Sequence, residues 1–356
     1  MDETDCETYD KAVIMGKIWI NNSSVDRLAM LQQTELEHPG VNQVAIEKDW
    51  WVTIVLKALF QTECRESLLF KGGTSLYKGF NIIERFSEDI DLSISHSFFG
   101  IEKASKSQRD KLRKTARKYI HEMLSKQLDM SLKNMGVSGY RIENVTKWQD
   151  NQGEWNPIDS DKDPTVIILH YPSVLEDAIS YIPPRVKIEV SCLSMDEPTE
   201  EREIHSLIGE TFTEEDTDSI SRIQTVSPTR TFLEKIFLLA EEFQKETPRS
   251  VRMSRHLYDL EKLMDTPYGL KALSSRTLYD AVVEHRSTYY ALKYVDYALL
   301  QPDTINFIIP RKHRISWQTD YADMRRYFIY GQSLDFDALM LRMEELQMRV
   351  RNMGKL

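Results

Sequence analysis

The hydrophobic and polar positions of this chain follow two different periods. Apolar side chains recur at helical intervals in "VDRLAMLQQTEL" and in "VNQVAIEKDWWVTIVLKALFQ", and "HPG" ends the first of these runs. Charged and aliphatic residues alternate with period 2 in "DIDLSIS", which is typical of a β-strand. After Ser227-Pro228 nearly all of the sequence has helical spacing. The pattern therefore predicts an N-terminal helical arm (1–40), an α+β domain (41–225) and a helical C-terminal domain (226–356).

Within the α+β part, the pattern predicts a strand, a glycine turn and a helix in "SLLFKGGTSLYKGF". Three more strands are predicted in "GYRIENVTKW", "PTVIILHYPS" and "PPRVKIEVSC", and the first two of them are joined by the polar loop "QDNQGEWNPIDSDKDP". Residues 101–135 contain no proline and predict one polar helix. Ser227 and Pro228 fit the N-cap and first turn of the next helix.

Composition narrows the class of protein. Hydrophobic residues make up 41% of the chain, which is enough for a core, and the longest apolar runs fall short of the ~18–20 residues that span a bilayer. The acidic N-terminus lacks a signal-peptide pattern, and three scattered cysteines predict no disulfide framework. We therefore expect a cytoplasmic protein without a membrane partner. Because the formal net charge is −10, any polyanionic partner must bind a local basic patch.

Two acidic residues stand on alternate positions of an aliphatic strand. Asp89 and Asp91 share one face, while Ile90 and Leu92 face the other side. Two neighbouring carboxylates repel and remain ionised most easily beside a cation. Carboxylate oxygens suit Mg²⁺, which completes its shell with water and phosphate oxygens. The spacing therefore predicts a Mg²⁺ site, with Mn²⁺ as an alternative ion.

A double glycine stands just before this strand in the sequence. In "GGTS", residues 72–75, backbone N–H groups can approach a phosphate at the start of a helix, and Lys71 adds a positive charge. Either motif alone is common in unrelated proteins, but the two together predict triphosphate binding and nucleotidyl transfer. Ser87 lies two residues before Asp89, so its hydroxyl is expected on the same side as the carboxylates.

Three further segments carry candidate chemistry. In "VKIEVS", Lys187 and Glu189 share a strand face, and this is either a third acid with a phosphate-binding lysine or an ordinary exposed ion pair. Glu234 and Lys235 interrupt an apolar helical stripe. Arg255 and Asp259 have helical i, i+4 spacing, and the alternative for both helical segments is a solvated face with an internal Arg–Asp pair.

The order of "KGGTSL", "RFSEDIDL", "RVKIEVS", "RTFLEKIFLLA" and "RHLYDLEKL" resembles that of the AbiEii/AbiGii-type toxins. These are nucleotidyltransferases of bacterial toxin–antitoxin and abortive-infection systems, and the resemblance covers about residues 44–265. It implies an α+β fold with a nucleotidyltransferase-like mixed sheet and flanking helices, followed by a helical C-terminal domain.

The resemblance also implies roles for the candidate residues. Nucleotide-binding residues would be Lys71, Gly72, Gly73, Thr74, Ser75, Ser87 and Arg255. Catalytic residues would be Asp89, Asp91, Lys187, Glu189, Lys235 and Asp259. Metal ligands would be Asp89, Asp91 and Glu189, and the side chain of the glutamate would reach one methylene further than that of an aspartate.

The family resemblance further implies transfer of a nucleoside monophosphate from an NTP to an acceptor, which is tRNA in characterised branches, and a co-encoded antitoxin protein. A protein or small-molecule hydroxyl is an alternative acceptor, and an inactive binding or regulatory module is an alternative function. Two basic segments, 103–118 and 311–327, could contact RNA. In the second segment Trp317, Tyr321 and Tyr327 are candidates for stacking on bases; otherwise both segments are ordinary solvated faces.

Overall fold

A computed structural model describes residues 17–101, 105–150, 152–175, 182–196 and 198–353. The described strands are β1 (Leu68–Lys71), β2 (Asp89–Ile94), β3 (Arg141–Asn144), β4 (Lys147–Gln149), β5 (Trp155–Pro157), β6 (Thr165–His170), β7 (Arg185–Ser191), β8 (Thr199–Ile204) and β9 (Ser221–Val226). The described α-helices are α1 (Ser24–Glu37), α2 (Gln43–Leu59), α3 (Gly72–Lys78), α4 (Lys106–Tyr119), α5 (Ser125–Asn134), α6 (Leu207–Thr211), α7 (Pro228–Glu242), α8 (Arg255–Leu263), α9 (Pro267–Ser274), α10 (Arg276–His285), α11 (Arg314–Tyr327) and α12 (Phe336–Arg351).

Seven of these strands form one mixed sheet in the order β3-β6-β7-β2-β1-β9-β8. The pairs β2–β7 and β1–β9 are parallel, and the other neighbours are antiparallel. The predicted α+β class with a mixed sheet and flanking helices is therefore confirmed. β2 and β1 lie at the centre, so the two segments with the most specific chemistry occupy adjacent strands.

The sheet contains strands that the sequence pattern did not predict. β8 and β9 follow the three predicted strands, and β8 lies at an edge of the sheet, where its charged side chains remain in water. Such a strand lacks the apolar face that makes a strand recognisable in a sequence. The segment "GYRIENVTKW" forms two short strands, β3 and β4, and the supposed polar loop after it contains β5, which pairs with β4 in a separate hairpin.

The buried side chains form two hydrophobic cores. The first lies between the sheet and helices α1, α2, α4 and α5, and Trp50 and Trp51 are fully buried in it. The second is formed mainly by the helices that follow Pro228, but Leu76 and Tyr77 of α3 also belong to it. Because α3 follows the glycine turn directly, this packing brings α7 and α8 against that turn. The division of the chain at residues 40 and 225 stays a prediction.

Two helical predictions can be compared with the structure. Residues 106–134 form one continuous helical segment, in which a π-helical turn, Ile120–Leu124, separates α4 from α5. α1 and α2 match the two amphipathic runs near the N-terminus, while residues 1–16 of the predicted arm lie outside the described residues. None of the helices in the described residues is long and apolar enough to cross a membrane.

One buried carboxylate joins the N-terminal segment to the first core. Asp216 Oδ1 accepts hydrogen bonds from the backbone N–H of Trp19 at 2.9 Å and from Trp50 Nε1 at 3.0 Å. Asp216 Oδ2 accepts a hydrogen bond from Ser206 Oγ at 2.7 Å. This single side chain therefore satisfies three buried donors from distant parts of the chain.

We predict that Asp216→Ala lowers the free energy of unfolding by about 2–4 kcal/mol, because three buried donors lose their acceptor. Urea denaturation followed by circular dichroism measures the change. Asp218→Ala, at an exposed position two residues away, is the control and should change stability by less than about 0.5 kcal/mol. Equal effects of the two substitutions would contradict the role of the buried carboxylate.

Candidate active site

The central parallel strands place four polar side chains on one face of the sheet. In the register of β2 and β7, Asp89 lies opposite Lys187 and Asp91 lies opposite Glu189. The alternate side chains of both strands, Ile90, Leu92, Val186, Ile188 and Val190, are fully buried on the other face. Burial of these aliphatic side chains fixes the register, because a shift by one residue would turn the charged side chains into the core.

The two glycines allow the turn between β1 and α3 to lie against β2. Gly72 has a φ angle of +81°, and a Cβ atom there would stand 2.8 Å from Asp91 Cγ. A Cβ atom on Gly73 would stand 3.0 Å from Ser87 Oγ and would also clash with Arg85. Any larger residue at either position would therefore displace the polar side chains that the turn contacts.

The hydroxyl groups of the turn are used inside the protein. Thr74 and Ser75 are fully buried. Thr74 Oγ1 donates its hydrogen bond to the carbonyl oxygen of Asp89 and lies 2.9 Å from Ser87 Oγ, whose hydroxyl donates to it. Ser75 Oγ donates to the carbonyl oxygen of Gly72 at 2.9 Å. These side chains fasten the turn to β2, so any contact of Thr74 or Ser75 with a ligand would have to come from their backbone N–H groups.

A cavity of about 510 Å³ opens in front of this face. Lys71, Ser87, Asp89, Asp91, Lys187, Glu189, Glu234, Lys235 and Arg255 all border it, together with Gly72 and Gly73. Eight basic side chains line the cavity: Lys71, Arg85, Lys187, Lys235, Arg249, Arg252, Arg255 and Arg286. Seven carboxylates line it as well: Glu88, Asp89, Asp91, Glu189, Glu234, Asp320 and Asp323. Side chains that are far apart in the sequence thus meet in one strongly charged pocket.

Most of these basic groups already have an anionic partner. Lys187 forms an ion pair with Glu189, Arg252 pairs with Glu88 at 2.9 Å, and Lys235, Arg85, Arg249 and Arg286 are paired with other carboxylates. Within the described part of the chain, Lys71 and Arg255 have no ion pair, although Lys71 Nζ donates a hydrogen bond to Ser194 Oγ at 2.8 Å. These two are the lining cations best able to bind an incoming anion.

Asp259 lies beneath the cavity and is fully buried. Its carboxylate accepts two hydrogen bonds from Arg85, at 2.7 and 2.8 Å, and pairs with Lys235 at 2.8 Å. Burial alone would raise the pKa of Asp259, but the charges of Arg85 and Lys235 outweigh it and hold that pKa well below its usual range. The side chain therefore positions two cavity cations. The internal Arg255–Asp259 pair, weighed as an alternative for this helix, does not form.

The surroundings of Asp89 and Asp91 disfavour a negative charge on either side chain. Burial and the nearby Glu189 together raise the pKa of Asp91 to about 6, against the opposing charge of Lys71. Burial likewise raises the pKa of Asp89, partly offset by Lys187. Among the described residues, no group of three or more His, Cys, Asp or Glu side chains lies close enough to hold a metal ion. An ion such as Mg²⁺ needs only one or two protein carboxylates, because it takes its remaining ligands from water and phosphate.

Glu234 and Lys235 differ in their surroundings although they are adjacent. Glu234 pairs with the fully buried Arg230 at 3.1 Å, and the nearby Lys71 also lowers the pKa of this glutamate against the opposing effect of burial. Burial lowers the pKa of Lys235, opposed by its ion pair with Asp259. Both side chains border the cavity, so the helix α7 that carries them forms one of its walls.

Two arginines of the cavity were missed by sequence reasoning. Arg85 stands in "ERFSEDIDL", but its importance depends on Asp259, which is 174 positions away. Arg252 has a left-handed φ angle of +59°, pairs with Glu88 and stacks over Phe328 at 5.4 Å. Nothing in a single sequence marks either contact, because both form when the C-terminal region packs against the segment that precedes β2.

In the second basic segment, the prediction that Trp317 and Tyr321 stack on bases is wrong. Trp317 and Tyr321 are buried, with exposed fractions of 0% and 1%, so they cannot stack on the bases of an RNA. Their spacing reflects packing into the second core. In the first segment, Lys106, Lys111, Lys114 and Lys118 of α4 are exposed, while Leu112 and Ala116 face the core; residues 103 and 104 lie outside the described residues.

We predict that Asp259→Asn lowers the free energy of unfolding by about 3–5 kcal/mol, because Arg85 and Lys235 lose their buried counter-charge. Since the pKa of Asp259 is depressed, its contribution is present above the unfolded pKa of about 3.9 and is lost as the pH falls below it. Urea titrations at neutral and acidic pH measure both effects. Asp280→Asn, which breaks the exposed Arg276–Asp280 pair, is the matched control and should cost less than about 1 kcal/mol.

The sequence was compared with known proteins. Residues 54–342 match the model of a family described as "Nucleotidyl transferase AbiEii toxin, Type IV TA system". No curated protein sequence matches the chain. Among solved structures, MenT4, a nucleotidyltransferase toxin from Mycobacterium tuberculosis H37Rv, is 14% identical; the alignment covers 83% of this chain and 98% of that one, with a TM-score of 0.34, which is too low to support an assignment. Because the family model spans well over half of the sequence, the chain belongs to the AbiEii family of nucleotidyltransferase toxins of type IV toxin–antitoxin systems.

Proposed function

We propose that this chain transfers a nucleoside monophosphate from an NTP to an RNA acceptor, a tRNA, with Mg²⁺ as cofactor, and that a cognate antitoxin protein restrains it. One observation carries the proposal: Asp89 and Asp91 face a cavity that also contains the glycine turn and two cations without ion pairs, Lys71 and Arg255. A triphosphate needs cations and backbone N–H donors, and a metal ion needs the carboxylates.

Each part of the cavity has a task in this mechanism. Lys71, Arg255 and the N–H groups of Gly72 and Gly73 bind the phosphate oxygens of the NTP. Asp89 and Asp91 would hold Mg²⁺, which when bound would neutralise charge on the phosphates and lower the pKa of the attacking hydroxyl. Glu189, kept in place by Lys187, accepts the proton of that hydroxyl.

The bonds made and broken balance without a further reactant. The acceptor oxygen forms a bond to the α-phosphorus, the bond from that phosphorus to the bridging oxygen breaks, and pyrophosphate leaves. Lys235 and Arg85 border the same cavity, and Asp259 orients both. The roles of these three residues are therefore binding and positioning, while proton transfer belongs to the face formed by β2 and β7.

RNA as acceptor is supported by the charge of α4. Four exposed lysines, Lys106, Lys111, Lys114 and Lys118, stand on one helix of a chain whose net charge is −10. Local positive charge of this kind attracts the phosphates of a nucleic acid without making the whole surface basic. A second acceptor class, a protein or small-molecule hydroxyl, has no comparable feature in its favour.

We predict that Asp89→Asn lowers transfer of label from α-³²P-NTP to total tRNA at least about a thousandfold, because a metal ligand is lost. The same substitution removes a buried like charge next to Asp91, so the unfolding temperature should stay equal or rise. Asp218→Asn, at an exposed site, is the control. Transfer at the wild-type rate by the Asp89 variant would refute the mechanism, and label in protein instead of RNA would refute the acceptor.

We also predict that Gly72→Ala lowers transfer at least about a hundredfold, because the added Cβ pushes Asp91 away from its partners. Gly153→Ala is a matched control. Its φ angle of +87° gives it the same backbone cost, but the nearest atom to its Cβ would be 3.7 Å away. Initial rates and unfolding temperatures of both variants are measured in parallel. If the two variants lose activity equally, the contact with Asp91 is not the cause.

A further inference from the structure

A second cavity adjoins the candidate active site. It has a volume of about 430 Å³, and it shares Lys71, Asp91, Glu189 and Tyr290 with the first cavity. The two spaces therefore share a wall that contains two of the site's carboxylates. A volume of several hundred Å³ is typical of sites for small ligands or single chemical units of larger ones.

The position of the second cavity can be compared with the geometry that an in-line displacement requires. The attacking oxygen and the leaving pyrophosphate must stand on opposite sides of the α-phosphorus. If the first cavity, with its eight basic side chains, holds the triphosphate, the acceptor has to approach from the other side of Asp91 and Glu189. The second cavity is the space on the described surface that borders both of these carboxylates there.

The chemistry of the second cavity differs from that of the first. Its charged side chains that are absent from the first cavity are Arg113, Asp159, Asp161, Lys162 and Asp163. Asp163 is already used, since it accepts hydrogen bonds from Ser191 Oγ at 2.6 Å and from the N–H of Cys192 at 2.9 Å. Within the described residues, the side chains of Asp159 and Asp161 have no hydrogen bond or ion pair. Such carboxylates accept hydrogen bonds from hydroxyl groups and repel phosphates.

A basic helix leads to this cavity. Arg113 of α4 lines it and pairs with Asp110 of the same helix at 3.2 Å, and α4 also carries the four exposed lysines. Arg109 of the same helix donates a hydrogen bond to the carbonyl oxygen of Thr288, which ties α4 to the segment that carries Tyr290. Phosphates of a strand lying along α4 would thus approach the cavity at Arg113. An arginine fork suits a phosphate better than a lysine does.

We propose that the second cavity binds the nucleoside that carries the accepting hydroxyl of the RNA, with Arg113 on its phosphate and Asp159 and Asp161 on its ribose hydroxyls. This inference rests on the proposed function and adds the place, the orientation and the residues of acceptor binding. The acceptor side then has its own determinants, and they are separate from those of the NTP.

The experiment compares Michaelis constants for the two substrates in the full-length protein, with Mg²⁺, α-³²P-NTP and total tRNA. Arg113→Ala should raise KM for tRNA about tenfold and leave KM for the NTP within about twofold, and Arg113→Lys should recover part of the loss. Lys133→Ala, at an exposed lysine of α5 paired with Asp129, is the control and should change neither constant.

A second variant places a large side chain in the second cavity, at a loop residue that lines it. Asp161→Trp should lower kcat/KM for tRNA at least about a hundredfold, while the rise in unfolding temperature caused by NTP and Mg²⁺ stays as in the wild type. Glu214→Trp, at an exposed loop position, controls for adding a large side chain.

The outcomes separate the two proposals. If the wild type labels tRNA but neither variant changes KM or kcat/KM for tRNA, or both change KM for the NTP equally, the acceptor site is elsewhere and the proposed function stands. If the wild type binds NTP but labels protein or nothing instead of tRNA, the proposed function fails and this inference fails with it.

Discussion

The buried carboxylate of Asp259 holds the two halves of the site together. It lies on α8, binds Arg85 from the segment before β2 and pairs with Lys235 of α7. Because an unpaired charge at this depth would cost several kcal/mol, the helices after Pro228 can pack against the sheet only in the arrangement that brings the three groups together. That arrangement closes the cavity over Asp89 and Asp91. The stability of the second core and the shape of the site therefore depend on the same contact.

The sheet holds like charges close together, whereas Asp259 is surrounded by groups of opposite charge. Asp89, Asp91 and Glu189 are kept near each other by the parallel register of β2 and β7, and burial raises the pKa of both aspartates. Aliphatic side chains on the other face stabilise this register, so the repulsion is tolerated. A cation bound beside these carboxylates would offset the repulsion between them.

The molecule has a strongly acidic net charge and yet concentrates basic groups at two places. Eight basic side chains line the first cavity, and exposed lysines follow α4 toward the second. An acidic surface elsewhere disfavours indiscriminate binding of nucleic acids, so the local patches can select an acceptor that fits the cavity geometry.

From the sequence alone, the α+β class, the glycine turn, the strand face of Asp89 and Asp91 and the family could be predicted, because each depends on neighbouring residues whose spacing sets which side chains share a face. The edge strand β8, its inner neighbour β9 and the hairpin strand β5 were missed, and β8 and β5 have few buried side chains that would mark them as strands. Only the tertiary structure decided that Asp259 binds Arg85 and Lys235, that Trp317 and Tyr321 are buried, and that a second cavity adjoins the carboxylates. Those features depend on contacts between segments that are not neighbours in the sequence, or on which face of a helix packs inward, and a local pattern carries no information about either.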